Sequence, residues 1–377
     1  MDSADKSQTP NPAIMDGSAW RAFCSRLAEA GDIILSPAAP ATPLDRAEGF
    51  RYLTRLLRIA LEMNLEAADP DFPYFYKASH ETAKIGADNP DNIYLNATVN
   101  AVNSYRITGT RGTMTYFGIG TKANRYHIDG TMASTGELDD SSIKLGPNGE
   151  IDIVVSATKH EGNWLQMAGD TSFVIIRQSY LDRGSEIPGS FKIERIGAPK
   201  APRLLTPEFM QGALARSANF VFGTAATFHA WAQEFKAHPN RMPLLDQAKY
   251  CKAGGDPNIT YLHGYFDFPM DHAWVIEVTP PECPYWNFQI ENWWMESLDF
   301  RYLPVWVNKH TAHYNADGSV TIIVAASDPG FGNFVDRAGH LTGASLLRWL
   351  GAKEFPVPKC SVVPIAELSK YKSGSKS

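Results

Sequence analysis

The densest run of residues able to move a proton lies near the C-terminus. There Asp328-Pro329-Gly330, Asn333, Asp336, His340 and Arg348 share one Gly-rich stretch. An Asp and a His lining a cleft can act as general acid and base. The same residues also have structural uses: Asp328 in a turn, Asp336 as a helix cap, His340 as a satisfied core histidine. Asp91, Asn92 and Tyr94 form a second group at a strand entry. They can bind sugar or alcohol hydroxyls, or close an Asx turn on themselves. Arg111 and Arg177 sit in strand-like runs, placed to meet an anionic substrate group or to pair internally with Asp91 or Glu194. From Tyr285 to Trp294, flat aromatic faces are interleaved with Asn287, Glu291 and Asn292, a mixture suited to stacking plus a few oriented hydrogen bonds. Alternation sends Trp286, Phe288 and Ile290 toward a core and puts Asn287, Gln289 and Glu291 on the other face. The expected catalytic set is His340, Asp336, Asp91 and Glu291. Asn92, Tyr94, Arg111, Arg177, Asn287, Trp294 and Asn333 are expected to contact substrate.

Several chemistries lack their motifs. His310 and His313 are three apart, which in a strand points them to opposite faces, and no HExxH appears. No metal is expected. There is no GxSxG, and Ser79 is merely next to His80. No GxGxxG or phosphate-binding loop is present, so no cofactor is expected. A net charge of −6, with Lys and Arg dispersed, leaves no basic footprint for nucleic acid. No run approaches the roughly 18 apolar residues of a membrane span. The polar N-terminus lacks the features of a signal peptide. The four cysteines, Cys24, Cys251, Cys283 and Cys360, form no CxxC pair. A reduced, cytoplasmic protein acting on a small molecule is the expectation, with a homo-oligomer left open.

The elements that must position these residues are mostly strands. Residues 1–16 and 366–377 read as disordered tails. A helix follows the first tail, with Trp20, Phe23, Cys24 and Leu27 at helical spacing and Gly31 as its cap. A second starts at Thr42-Pro43 and presents Ala47, Phe50, Leu53, Leu57 and Leu61 to a core. Strands are expected in IYLNATV, SYRITGTRG, MTYFGIGT, IDIVVSAT, TSFVIIRQSY and FKIERI. These make a first β-sandwich over 70–203. A helical linker over 204–256 begins at Thr206-Pro207-Glu208. A second sandwich over 257–365 uses ITYLHGYFDF, HAWVIEVTP, YWNFQIENW, TAHYN and SVTIIVAAS, with a short helix in ASLLRWL. The fold class is mainly β: two jelly-roll or β-sandwich units with a helical N-terminal segment (17–69) and the helical linker between them.

Five segments resemble one bacterial family: NPDNIYLNATVNAVNSYRITGTRG, GNWLQM, FVIIRQSYLDR, YWNFQIENWWMES and DPGFGNFVDRAGHLTGASLLRWL. The family is domain of unknown function 1214, whose usual companion is domain of unknown function 1254. The resemblance runs from about residue 70 to about 360, and the C-terminal sandwich is identified as the 1214-like unit. No separate 1254-type domain is visible. The resemblance implies tandem β-sandwich or jelly-roll folds, in outline like peptide-N-glycosidase-type enzymes, and fold likeness alone carries little function. The residues suggest a cofactor-independent hydrolase or lyase for a hydroxyl-rich or polycyclic molecule, such as a glycoside, using carboxylate and His acid–base chemistry. A glycosidase would need two carboxylates about 5 to 9 Å apart in one cleft. The alternative is a non-catalytic ligand-binding or interaction protein.

Overall fold

In the computed structural model, which describes residues 8–126 and 128–372, helices precede the β-structure. A short helix α1 (Pro12–Met15) and a long one, α2 (Ser18–Ile34), lead into α3 (Pro43–Leu61) and a π-helical turn, Glu62–Glu66. Thr42 caps α3 by accepting from Asp45 N at 3.2 Å, with Pro43 in the first turn. Gly31 does not end α2, which runs on three residues to Ile34. A glycine is tolerated there because the packed face of the helix outweighs its propensity cost. The buried face of α3 is also rotated from the expected stripe: Tyr52, Leu56, Ile59 and Ala60 are buried, while Phe50 is exposed. Glu48 joins that buried face through His340, and Asp45 through the hydroxyl of its own cap residue, Thr42.

The first lobe is a sandwich of two four-stranded sheets. Its strands are β1 (Asn92–Thr98), β2 (Tyr105–Thr110), β3 (Tyr116–Arg125), β4 (Thr131–Asp139), β5 (Glu150–Ser156), β6 (Trp164–Gln166), β7 (Phe173–Ser179) and β8 (Ser190–Arg195). One sheet has the order β1-β7-β3-β4 and the other β6-β5-β2-β8. Ile107, Phe117, Ile119, Ile153, Val174 and Ile176 from both sheets fill the core between them. The outer face of β2 and β5 is wet, as the alternation in SYRIT and IDIVVSAT implies.

Helix α4 (Pro207–Lys236) begins at a Thr206 cap and is followed by α5 (Gln247–Lys252). α4 is more than a connection. It packs on α2 through Leu214 and Ala218 and on α3 through Phe220 and Val221. The second lobe uses β9 (Ile259–Asp267), β10 (His272–Val278), β11 (Tyr285–Ile290), β12 (Trp306–Asn308), β13 (Val320–Ala325), β14 (Asn333–Asp336), β15 (Thr342–Leu350) and β16 (Lys359–Pro364). Its sheets have the orders β14-β13-β10-β16 and β12-β11-β15-β9. Trp274, Ile276, Trp286, Phe288, Ile322 and Leu347 lie between them.

Two expected elements differ. ASLLRWL is not a helix but the body of β15, paired with both β9 and β11. Both of its faces are buried, so its apolar residues run on without alternation and mimic a helix. TAHYN is not a strand: it forms a turn after β12, where Asn308 Oδ1 accepts from His310 N and Thr311 N. The expected tails lie partly outside the described residues. Within them the chain forms α1 and a 3₁₀ helix, Ile365–Tyr371, whose Leu368 covers Val275 and Ile323. Among the described residues no helix is long and apolar enough to cross a membrane.

Helix α3 meets the second lobe at Gly49. A Cβ there would lie 2.5 Å from Ile34 Cγ2 and 2.9 Å from the Trp294 ring. Gly49→Leu should therefore lower stability by about 1–3 kcal/mol, read as a lower urea midpoint at unchanged slope.

Candidate functional site

The two lobes meet through polar residues. On β11 Trp286 and Phe288 face the core of the second lobe, and Tyr285, Asn287 and Gln289 face the first lobe, as alternation requires. That second face is buried and not wet: Asn287, Gln289 and Glu291 are each 0% exposed. Arg348 stands opposite Asn287 on β15 and donates from Nη1 to Asn287 Oδ1 (3.2 Å) and Gln289 Oε1 (2.6 Å). Its Nη2 donates to Ala87 O.

Residues 84–92, a strap leading into β1, supply the other half of this seam. Lys84 Nζ donates to Ser297 O, Ser297 Oγ and Leu298 O at 2.6–2.8 Å. Asp88 accepts from Ser297 N and Oγ, and Asn89 exchanges hydrogen bonds with Tyr285 and Asn287. Asp91 accepts from Tyr285 Oη (2.7 Å), Trp306 Nε1 (3.0 Å) and Asn308 Nδ2 (3.1 Å). Burial raises the Asp91 carboxyl above its ordinary value despite these donors. Glu291 is pushed up to about 8, chiefly by burial, so it is a neutral acid at pH 7. Gln289 donates to its Oε1, and Oε2 has no hydrogen-bond partner among the described residues.

Beside the seam lies a cavity of about 180 Å³. Its walls come from β1 (Tyr94), β7 (Phe173, Ile175, Arg177), β9 (Tyr261, His263), β15 (Leu346, Arg348), α4 (Phe228, Trp231) and the strap. The period of two on β7 explains its share: Val174 and Ile176 enter the first lobe's core, and the odd-numbered residues face the cavity. Gly86 lets the strap close over Phe228. Its φ is +60°, and a Cβ would sit 2.7 Å from the Phe228 ring. Ala87, next in line, also has a positive φ (58°) and is held there by bonds from its N to Met295 O and from Arg348 to its O. A smaller recess lined by Lys77, His80, Glu81 and Arg183 shares Ser79, Asp88, Asn89, Asn92 and Tyr94 with the cavity wall. In the lining, Ser79 Oγ, Asn92 Oδ1 and His263 Nδ1 have no hydrogen-bond partner among the described residues. Burial, with Arg348 nearby, holds His263 well below its ordinary value, so its ring is neutral.

Of the residues singled out from sequence, Asn92, Tyr94 and Arg177 line this cavity, and Asp91, Asn287 and Glu291 belong to the adjoining seam. The others are elsewhere. Arg111 pairs with Asp140 at 2.6 Å and reaches neither Asp91 nor Glu194. Asp336 accepts from Ala338 N in a local turn, and Asn333 bridges His313 to Thr321 O. Trp294 is core, stacked on His229 and Tyr52. His340 Nε2 lies 2.8 Å from Glu48 Oε2, locking α3 to the β14–β15 turn. Asp336, His340, Asn333 and Arg348 therefore form no common site, because β14 and β15 lie in different sheets of the lobe. Sequence reading missed His263, Phe228, Trp231 and the strap residue Asn89. Only the turn cluster 88–92 carried a local signal for the last. Among the described residues no three His, Cys, Asp or Glu side chains gather as a metal site.

Residues 96–181 match the family described as protein of unknown function (DUF1214). The match falls in the first sandwich and not in the 257–365 unit expected to carry it; a companion domain 1254 is not shown. The chain is similar to a crystal structure of an uncharacterized protein from Burkholderia cenocepacia, with 49% identity and a TM-score of 0.92. The alignment covers 94% of this chain and 99% of that one. It also shares its fold with the VPA0106 protein from Vibrio parahaemolyticus, at 12% identity and a TM-score of 0.50, covering 90% of this chain and 100% of that one. No curated protein matches.

The Glu48–His340 pair has a definite pH signature. Burial opposes both charges, but the mutual bond wins, holding Glu48 below 4.5 and His340 above 6.5. The stability from His340 is lost as pH rises through its raised value, and that from Glu48 as pH falls through its lowered one. His340→Ala should cost about 3–5 kcal/mol, with the loss greatest between pH 4.5 and 6.5 and shrinking on either side. Urea melts across pH would show this.

Proposed function

From the premise that this chain belongs to the DUF1214 family, we propose that it is a small-molecule-binding protein whose ligand occupies the cavity between the lobes. The observation that carries this reading is the cavity's lining, predominantly apolar and aromatic with a few polar groups, at the junction of both sheets, α4 and the strap. The size of the cavity sets the ligand. An apolar cavity of about 150 Å³ admits benzene, so about 180 Å³ suits one ring with short substituents. A polycyclic body or an oligosaccharide would not be enclosed by it whole.

Binding is favoured over hydrolysis or elimination because the acid–base candidates are engaged in holding the fold. His340, Asp336, Asp91 and Glu291 are absent from the cavity wall, and Asp88, its one acid, has both carboxylate oxygens taken up by Ser297. A two-carboxylate glycosidase mechanism has no pair to work with here.

Single-ring fragments should raise the melting temperature by mass action, by the equivalent of about 2.7 kcal/mol at a hundredfold excess over Kd. Ala78→Phe, which fills the wall, should abolish the shift, and Asp336→Asn should leave it unchanged. A fragment shift that persists in Ala78→Phe would place the binding site elsewhere.

A further inference from the structure

We propose that the ligand is a small organic acid, an aryl or short alicyclic carboxylate whose carboxylate group is held by Arg177 and Tyr94; this rests on the cavity being the ligand site. Arg177 is 8% exposed and carries its guanidinium into the cavity wall. Nη2 donates to Gly254 O at 2.5 Å, and among the described residues Nε and Nη1 have no hydrogen-bond partner. No described carboxylate lies within 4.0 Å of it. A buried guanidinium is ordinarily paired, since desolvation costs several kcal/mol per ion. Here the missing partner is on the cavity side.

The other charged groups nearby are accounted for. Asp256 sustains the Arg177 charge through space against the effect of burial. Its oxygens, however, accept from Tyr116 Oη (3.0 Å) and Asn258 N (2.9 Å). Lys122, on the same sheet, is paired with Glu137. Arg348, the second guanidinium in the wall, is taken up by Asn287, Gln289 and Ala87.

The immediate surroundings of Arg177 suit a planar two-oxygen anion. In the sheet it lies between Tyr94 on β1 and Gly118 on β3. Tyr94 Oη accepts from Asn89 N at 3.0 Å, and its own hydrogen has no acceptor among the described residues. Gly118 places no side chain on the other flank; a Cβ there would crowd Tyr116 Oη at 2.8 Å. One two-donor edge of the guanidinium, formed by Nε or Nη1 with the second hydrogen of Nη2, and a phenol can satisfy one carboxylate. A phosphate dianion would require more positive charge than Arg177 by itself supplies. Beyond the head group, Ile175, Phe173, Phe228 and Trp231 offer the apolar surface for the ring.

The test is calorimetric titration of the full chain with benzoate, phenylacetate and cyclohexanecarboxylate against their neutral counterparts benzamide and benzyl alcohol. The wild type should bind the acids about tenfold or more tightly, and Arg177→Gln should erase that preference while neutral compounds bind as before. Equal affinity for acids and neutral compounds, with Ala78→Phe blocking both, would overturn the carboxylate assignment and leave the cavity reading standing. No binding of any compound would overturn both. Should Arg177→Gln fail to fold, the wild-type series decides by itself.

Discussion

The arrangement of the two lobes depends on how the strap Lys84–Asn92 is bound. A segment with this many polar groups can be buried only if nearly every donor and acceptor finds a partner. The second lobe supplies them: Ser297 and Leu298 for Lys84, Ser297 for Asp88, Tyr285 and Asn287 for Asn89, and Tyr285, Trp306 and Asn308 for Asp91. Tyr285 and Asn287 sit on one face of β11, Trp306 and Asn308 on β12 paired beside it, and Ser297 and Leu298 on the connection between the two strands. The register of β11 therefore sets the position of the first lobe. A one-residue slip would turn Asn287 and Gln289 into the aromatic core and bring Trp286 and Phe288 to the seam.

The cavity follows from the same seam. Where the strap and Arg348 fill the space between the lobes, contact is close and densely hydrogen-bonded. Further along, the outer face of the β1–β7–β3 layer lies across from α4 and the β9–β15 layer, and a space remains between them. The positive φ at Gly86 and Ala87 shows how the strap accommodates both demands. It turns sharply enough to cover Phe228 and still delivers a carbonyl to Arg348. Charge is distributed with equal economy: each buried ion of the seam has hydrogen-bonded neighbours, Glu291 is neutral, and Arg177 keeps donors in reserve toward the cavity.

Local pattern carried much of the architecture. Period-two alternation marks β2 and β5, and the Thr-Pro starts of α3 and α4 are legible because a cap needs only adjacent residues. Alternation also divides β11 correctly into Trp286, Phe288 and Ile290 against Asn287 and Gln289. It fails where both faces of a strand are covered, as in β15, since periodicity then vanishes.

What remained hidden was non-local. Asp336, His340 and Arg348 are neighbours in sequence, yet the strands between them diverge into different sheets, so their chemistry is divided among a turn, an ion pair with α3 and the lobe seam. Conversely, Arg177, His263 and Phe228 share one wall though long stretches of chain separate them. Residue types and alternation decide which side chains leave a sheet on which face. Only the packing of one complete lobe on the other decides whether that face meets water, a partner or a cavity, because burial belongs to the contact between layers and not to any single strand.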